Sequence, residues 1–109
     1  MCIRDREYVI AFVTTSCLEE AERIATALVE TRLAAGVNII PEVTSVYRWQ
    51  GRVETNTEAK LIIKTSAQVV SDLTKTVTDL HSYDVCEITV VPIVGGSENY
   101  LAWIRENVG

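Results

Sequence analysis

The chain contains few cysteines, and none of them is spaced as a metal-binding or redox pair. Cys2, Cys17 and Cys86 form no CxxC motif, and three thiols cannot all be joined in internal disulfides. Cysteines used in this way are typical of a reducing compartment. We therefore expect a cytoplasmic protein.

Basic residues and long apolar runs are also scarce. Lys and Arg number 10 against 15 Asp and Glu, which gives a formal net charge of -5. Because a nucleic-acid surface needs clustered positive charge, we expect no nucleic-acid partner. No apolar stretch is long enough to span a membrane or to form the apolar region of a signal peptide, so we expect no membrane partner. The sequence also lacks a Walker loop, a dinucleotide fingerprint and a nucleophile–base pair.

What the sequence does contain is enough apolar residues for one domain, since they make up 48% of 109 residues. Residues 1–6 fit no periodic element, and we expect them to form a disordered leader. The predicted domain therefore spans residues 7–109.

The first part of this domain has the pattern of a strand followed by a helix. Residues 8–13 are almost wholly apolar, which predicts a central strand buried on both faces. Ser16 and Glu19 have the spacing of a capping box, and Gly36 has the position of a helix C-terminal glycine. The helical period places Glu20 on the solvated face.

The rest of the chain adds a hairpin, a helix, a strand and a short helix. Pro41 favours either a sheet edge or a bend for the strand that contains it, and Pro92 favours a sheet edge for the last strand. The predicted elements are a strand over 37–50, a turn at 50–52, a return strand that strengthens from Glu58, a helix from Thr65 or Ser66 that ends near His81, a strand over 88–94, and a third helix capped by Ser97.

The order β-α-β-β-α-β predicts an α+β fold, a ferredoxin-like sandwich with an extra C-terminal helix. Right-handed crossovers place the first and third strands in the centre of the sheet. Two helices cover only one face of such a sheet, and the long hairpin extends beyond its own domain. The third helix covers part of the other face, and we expect another subunit to cover the remainder.

The richest chemistry lies in one run before the last strand. His81, the only histidine, is followed by Tyr83, Asp84, Cys86 and Glu87. His81, Asp84 and Glu87 offer imidazole and carboxylate ligands for Cu(II) or Zn(II), while Cys86 suits Cu(I). One segment rarely completes a coordination sphere, so water or a second subunit would have to contribute. The alternative is a polar connection in which His81 contacts the last carbonyls of the helix.

Over residues 8–108 the chain resembles the CutA divalent-cation-tolerance family. The matching stretches are Leu33 to Pro41, Val43 to Gly51, Glu58 to Thr65, His81 to Glu87, and Tyr100 to Trp103. The resemblance implies a ferredoxin-like homotrimer with the architecture of PII-type signalling trimers. It also implies a role in tolerance of copper or other divalent cations, with no cofactor required for folding.

The resemblance further implies a ligand-binding cleft between subunits. The residues carried over to this cleft are His81, Trp49, Lys64, Tyr83 and Glu87. This chain departs from the family pattern at Ser82, Asp84 and Cys86, where Pro, Glu and Pro are usual, and at Gly36, where a cysteine is common. Because thiolate is the preferred ligand of Cu(I), the glycine weakens the prediction of copper binding there.

Two other functional classes stay open beside a non-enzymatic role in metal homeostasis. An enzyme would use His81 as an acid–base group in a subunit cleft, aligned by Glu87 or Asp84. A PII-like trimer would sense a small metabolite. An acylphosphatase-like reaction is disfavoured because no arginine follows the first strand, and an RNA-binding module because the central strands lack stacking aromatics.

Overall fold

The computed structural model describes residues 7–109, and the leader predicted at residues 1–6 lies outside the described residues. The elements in chain order are β1 (Tyr8–Thr15), α1 (Leu18–Glu30), β2 (Gly36–Trp49), β3 (Arg52–Ser66), a 3₁₀ turn (Ala67–Val69), α2 (Val70–Leu80), β4 (Ile88–Pro92) and α3 (Glu98–Glu106). This order confirms the predicted α+β class. No helix of the described part is long and apolar enough to cross a membrane.

The strands form one antiparallel sheet with the order β2-β3-β1-β4. β1 and β3 lie in its centre, as predicted, because their apolar residues pack best there. Pro41 and Pro92 belong to the edge strands β2 and β4, where a missing N–H costs least. The prediction that β1 is buried on both faces is wrong, since only alternate residues from Val9 to Thr15 are buried.

The core lies between one face of the sheet and the helices α1 and α2. Its fully buried side chains include Val13, Leu61 and Ile63 from the sheet and Ile24, Leu28, Leu73 and Val77 from the helices. Burial of a side chain of this size contributes roughly 1.5–3 kcal/mol relative to exposure. These contacts therefore hold both helices on the same face.

The start of α1 differs from the predicted capping box. The N-cap residue is Cys17, and its side chain makes no capping hydrogen bond. Ser16 instead donates from its N–H and its hydroxyl to Oε1 of Glu20, at 2.9 and 2.8 Å. Because the helix starts one residue later than predicted, Glu20 rather than Glu19 occupies the third helical position. Glu20 points inward and is only 3% exposed.

The opposite face of the sheet, which we call the open face, carries the even-numbered residues of β1 and β3. α3 crosses one end of it: a ring atom of Trp103 would lie 3.1 Å from a Cβ on Gly36. Gly36 is therefore the first residue of β2 and lies beneath the Trp103 ring. It does not cap α1 as predicted, because α1 ends at Glu30. Elsewhere on this face, Ile40 and Val91 remain 40% and 42% exposed.

Candidate functional site: a cavity beside the hairpin

A β-bulge in β2 determines which side chains the β2–β3 hairpin presents on each face. Ile40 pairs with Lys60, whereas Val43 pairs with Glu58, so β2 has one extra residue between these two pairs. Because side chains alternate along a strand, the extra residue reverses the direction of all that follow. From Val43 onward the odd-numbered side chains, including Tyr47, therefore lie on the same face as Glu58.

These side chains form one wall of a cavity of about 750 Å³, which we call the hairpin cavity. The opposite wall is the connection between α2 and β4. The lining residues are Thr14, Val43, Thr44, Ser45, Val46, Tyr47, Trp49, Glu58, Lys60, Tyr83, Asp84, Val85 and Glu87. Three of the predicted ligand-binding residues thus share one cavity, namely Trp49, Tyr83 and Glu87.

Lys64, the fourth predicted ligand-binding residue, does not line the hairpin cavity. Its ammonium group donates to Oδ1 of Asn38, on another part of the open face. Burial lowers the pKa of Lys64. The family resemblance assigned Lys64 and Trp49 to one cleft between subunits, but within this chain the two residues lie toward opposite ends of the hairpin.

Glu58 is a buried carboxylate at the wall of the hairpin cavity and is 8% exposed. Its Oε2 accepts a hydrogen bond from the Tyr83 hydroxyl at 2.8 Å, while its Oε1 has no hydrogen-bond partner within residues 7–109. Burial raises the pKa of Tyr83, and the bond to the Glu58 carboxylate raises it further, so the phenol stays a neutral donor. Glu58 was not among the site residues predicted from the sequence. The one signal in the sequence is that Glu58 is an acidic residue directly before an apolar segment of its strand.

Glu87 is held at the cavity by three neighbours. Its Oε2 lies 3.8 Å from Nζ of Lys60 and accepts from the Thr89 hydroxyl at 3.0 Å, while its Oε1 accepts from the Thr14 hydroxyl at 3.5 Å. Lys60 also lies over the Phe12 ring, 5.2 Å from its centroid. Because the Lys60 and Glu87 side chains are about one-third exposed, solvent weakens their attraction.

The hairpin cavity is acidic overall. Three carboxylates line it, from Glu58, Asp84 and Glu87, against the single ammonium group of Lys60. Within residues 7–109, neither Glu58 nor Asp84 forms a salt bridge. The cavity therefore favours a ligand with positive charge.

His81 lies behind the hairpin cavity and its side chain is fully buried. Its Nε2 donates to the Thr14 carbonyl at 2.6 Å, and its Nδ1 accepts from the Tyr83 N–H at 3.0 Å. This pattern requires the neutral ring with its proton on Nε2. The His81 ring also packs on the Tyr83 ring, with centroids 4.8 Å apart. In this arrangement His81 positions Tyr83, and neither ring nitrogen is free to ligate a metal or transfer a proton.

The Glu20 carboxylate joins this network from α1. Its Oε2 lies 3.8 Å from Nδ1 of His81 and accepts from the Ser82 N–H at 2.7 Å. Burial alone would raise the pKa of Glu20, but the hydrogen bonds from Ser16 and Ser82 outweigh it and lower the pKa from 4.5 to about 2. The charged carboxylate therefore ties the start of α1 to the connection that carries Tyr83.

The structure separates the four predicted metal ligands. Asp84 and Glu87 line the hairpin cavity, His81 lies behind it, and Cys86 packs against the core. Neighbouring residues of extended chain point in opposite directions, so Cys86 and Glu87 diverge. In the part of the chain that the structure describes, no group of three or more His, Cys, Asp or Glu side chains is arranged to hold a metal ion. A metal ion at Asp84 and Glu87 would need further ligands from water or a second subunit.

Comparisons with known proteins connect this fold to one family. The family model for the CutA1 divalent ion tolerance protein matches residues 9–107. The divalent-cation tolerance protein CutA of Thermus thermophilus is 47% identical over 100 residues, which are 92% of this chain and 97% of that protein. Human protein CutA is 44% identical over 96 residues, and the chain spans 54% of its length.

Solved structures agree with these sequence relatives. The divalent cation tolerance protein from Thermus thermophilus superposes with a TM-score of 0.92 at 46% identity, covering 94% of this chain and 99% of that one. CutA1 from Oryza sativa also gives a TM-score of 0.92, at 39% identity and 94% coverage of each chain.

The predicted cytoplasmic location is wrong. A relative from Arabidopsis thaliana, 40% identical over 99 residues, is named as a chloroplastic protein. A solved structure from Archaeoglobus fulgidus is that of a periplasmic divalent cation tolerance protein. The inference from cysteine content failed because a domain that needs no disulfide can fold in any of these compartments.

Proposed function

Because the chain belongs to the CutA1 divalent ion tolerance family, we propose that it acts in divalent-cation tolerance as a homotrimer that binds cations in the hairpin cavity. One observation carries this proposal: Glu58 and Asp84 line the cavity without a basic partner in residues 7–109. Carboxylate oxygens favour divalent cations. Copper or another divalent ion would complete its coordination with water or with ligands from a second subunit.

The surface of the single chain supports a homotrimer. The open face keeps apolar side chains exposed, and on the hairpin Tyr47 and Trp49 are 38% and 46% exposed. Large aromatic residues of this kind commonly anchor subunit interfaces. A PII-like arrangement would cover the open face, and Thr14, Glu58 and Lys60 of the hairpin cavity lie at one end of that face.

A sensor of a small metabolite is the second candidate, and the size of the hairpin cavity supports it. About 750 Å³ is within the range of small-molecule sites. The enzymatic alternative has less support, because both ring nitrogens of His81 are already hydrogen-bonded.

Titration of the assembled protein with copper and zinc ions tests cation binding. We expect Glu58→Gln to weaken binding, whereas Glu22→Gln, an exposed residue of α1 outside the cavity, leaves it unchanged. Cys86→Ser should have no effect on zinc because Cys86 faces the core. Absence of copper and zinc binding by the unmodified protein would contradict the metal-ion role.

The variant His81→Ala separates a positioning residue from a metal ligand. Loss of its two hydrogen bonds should lower the free energy of unfolding by roughly 1–3 kcal/mol, because buried partners are left unpaired. A metal ligand would instead give full stability with loss of binding. Chemical denaturation measured beside the titration distinguishes the two outcomes.

A further inference from the structure

The hairpin cavity has walls that a bare metal ion would not use. Val43 and Val85 line it together with Tyr47 and Trp49. A divalent ion needs several oxygen ligands within about 2.6 Å, which apolar walls do not provide. A cavity with mainly apolar walls and a few converging polar groups is typical of sites for small organic molecules.

The polar end of this cavity is suited to an N–H donor with positive charge. Glu58 is buried, and its Oε1 remains without a hydrogen bond in the described chain while Tyr83 occupies Oε2. Lys60 lies against Glu87 and does not neutralise Glu58. A carboxylate in partly desolvated surroundings attracts a cation more strongly than an exposed one does.

We propose that the hairpin cavity binds a small organic ammonium ion, which donates hydrogen bonds to Glu58 and places its hydrocarbon part against Tyr47 and Trp49. The aromatic rings pack against the hydrocarbon, and the apolar walls exclude water from it. A neutral analogue loses the attraction to Glu58, and an anionic analogue is repelled by Glu58 and Asp84. This inference rests on the cavity of the proposed function and specifies a different class of cation for it.

Isothermal titration calorimetry of the whole assembled protein tests the ligand class with three probes of similar size. We expect benzylammonium to bind, benzyl alcohol to bind at least about tenfold more weakly, and benzoate not to bind. Glu58→Gln should weaken benzylammonium binding on the order of tenfold to a hundredfold, because it removes a charged acceptor. The control Glu22→Gln should bind as the parent does. Equal affinity for benzyl alcohol and benzylammonium would overturn the inference.

A parallel zinc titration separates this inference from the proposed function. Zinc binding that Glu58→Gln weakens, without any benzylammonium binding, would overturn the ammonium site and leave the metal-ion role standing. Absence of both would overturn both. If Glu58→Gln fails to assemble in sedimentation, Asp84→Asn replaces it, and a several-fold loss of benzylammonium affinity is then expected because one of the cavity's carboxylates is removed. Unchanged affinity in Asp84→Asn would count against the inference.

Discussion

Single side chains behind the hairpin cavity hold its wall in place through a continuous set of contacts. Glu20 accepts from Ser82, His81 accepts from the Tyr83 N–H, and the Tyr83 hydroxyl donates to Glu58. Within residues 7–109, every side-chain nitrogen or oxygen that is fully buried has a hydrogen-bond partner, so the unpaired Oε1 of Glu58 is accessible from the cavity. A change at Glu20, outside the cavity, therefore reaches Glu58 through Tyr83.

Glu20 should make the protein sensitive to acid. Its pKa is about 2 in the folded state against an ordinary 4.5, so the unfolded state binds the proton more readily. The stabilisation from Glu20 is complete above its unfolded pKa and is lost as the pH falls toward 2. At 1.36 kcal/mol per unit of pKa, the loss is about 3 kcal/mol.

Urea unfolding between pH 7 and pH 2 measures this effect. We expect Glu20→Gln to be less stable than the parent at pH 7 and to lose less stability on acidification. Glu22→Gln, with the same charge change on the exposed side of α1, should follow the parent. Parallel curves for the parent and Glu20→Gln would show that another group causes the acid sensitivity.

At the scale of elements, the hairpin is the feature that most shapes the cavity. Its turn consists of Gln50 and Gly51, which both have positive φ, at 51° and 78°. A two-residue turn of this kind matches the twist of the strands and favours Asn-Gly. The left-handed backbone conformation is therefore strained at Gln50, and a residue that adopts it more readily would reduce this strain.

Substitution in this turn should change stability in opposite directions at the two positions. Gln50→Asn is expected to raise the free energy of unfolding by a few tenths to about 1 kcal/mol, and Gly51→Ala to lower it by about 1 kcal/mol. Chemical denaturation measures both values. A stabilised Gly51→Ala would contradict the assigned backbone conformation.

The elements could be predicted from the sequence wherever apolar periodicity was strong. The central strands β1 and β3, the prolines at the sheet edges and the Ser97 cap, which accepts from the Tyr100 N–H, follow from local patterns. The inward direction of the Glu20 side chain could not be predicted in this way. A shift of one residue in the start of a helix changes which side chains face the core.

The candidate site could be predicted only in part, for a similar reason. Trp49, Tyr83 and Glu87 were selected and do share the hairpin cavity. Glu58 was not, because its position depends on the pairing of β2 with β3 across a bulge. Likewise, the run from His81 to Glu87 brings donors together in sequence, while its changes of direction separate His81 and Cys86 in space.

At the scale of the whole molecule, the open face and the projecting hairpin leave large apolar side chains exposed. Val46 and Val53, both 66% exposed, extend this surface along the hairpin. The described chain measures 43 × 28 × 23 Å, an elongated shape that results from the hairpin. Association of copies would bury this surface and link assembly to folding.

The unfolding temperature should therefore rise with protein concentration. Calorimetry measures this dependence over a dilution series. Sedimentation of the same samples must show that the assembly dissociates within the series. Tyr47→Ala combined with Trp49→Ala should dissociate at higher concentration than the parent, since aromatic anchors carry much interface energy. An unmodified chain that sediments as a monomer at every concentration would contradict the homotrimer.

The extra residue in β2 also limits how the length of this chain can change in evolution. Insertion of one residue in each strand next to the turn would lengthen the hairpin and leave the facing pairs nearer the core undisturbed. Loss of one residue between Ile40 and Val43 would restore regular pairing and turn Tyr47 and Trp49 away from Glu58. Paired insertions near the tip are thus compatible with the cavity, whereas a single deletion at the bulge removes one of its walls.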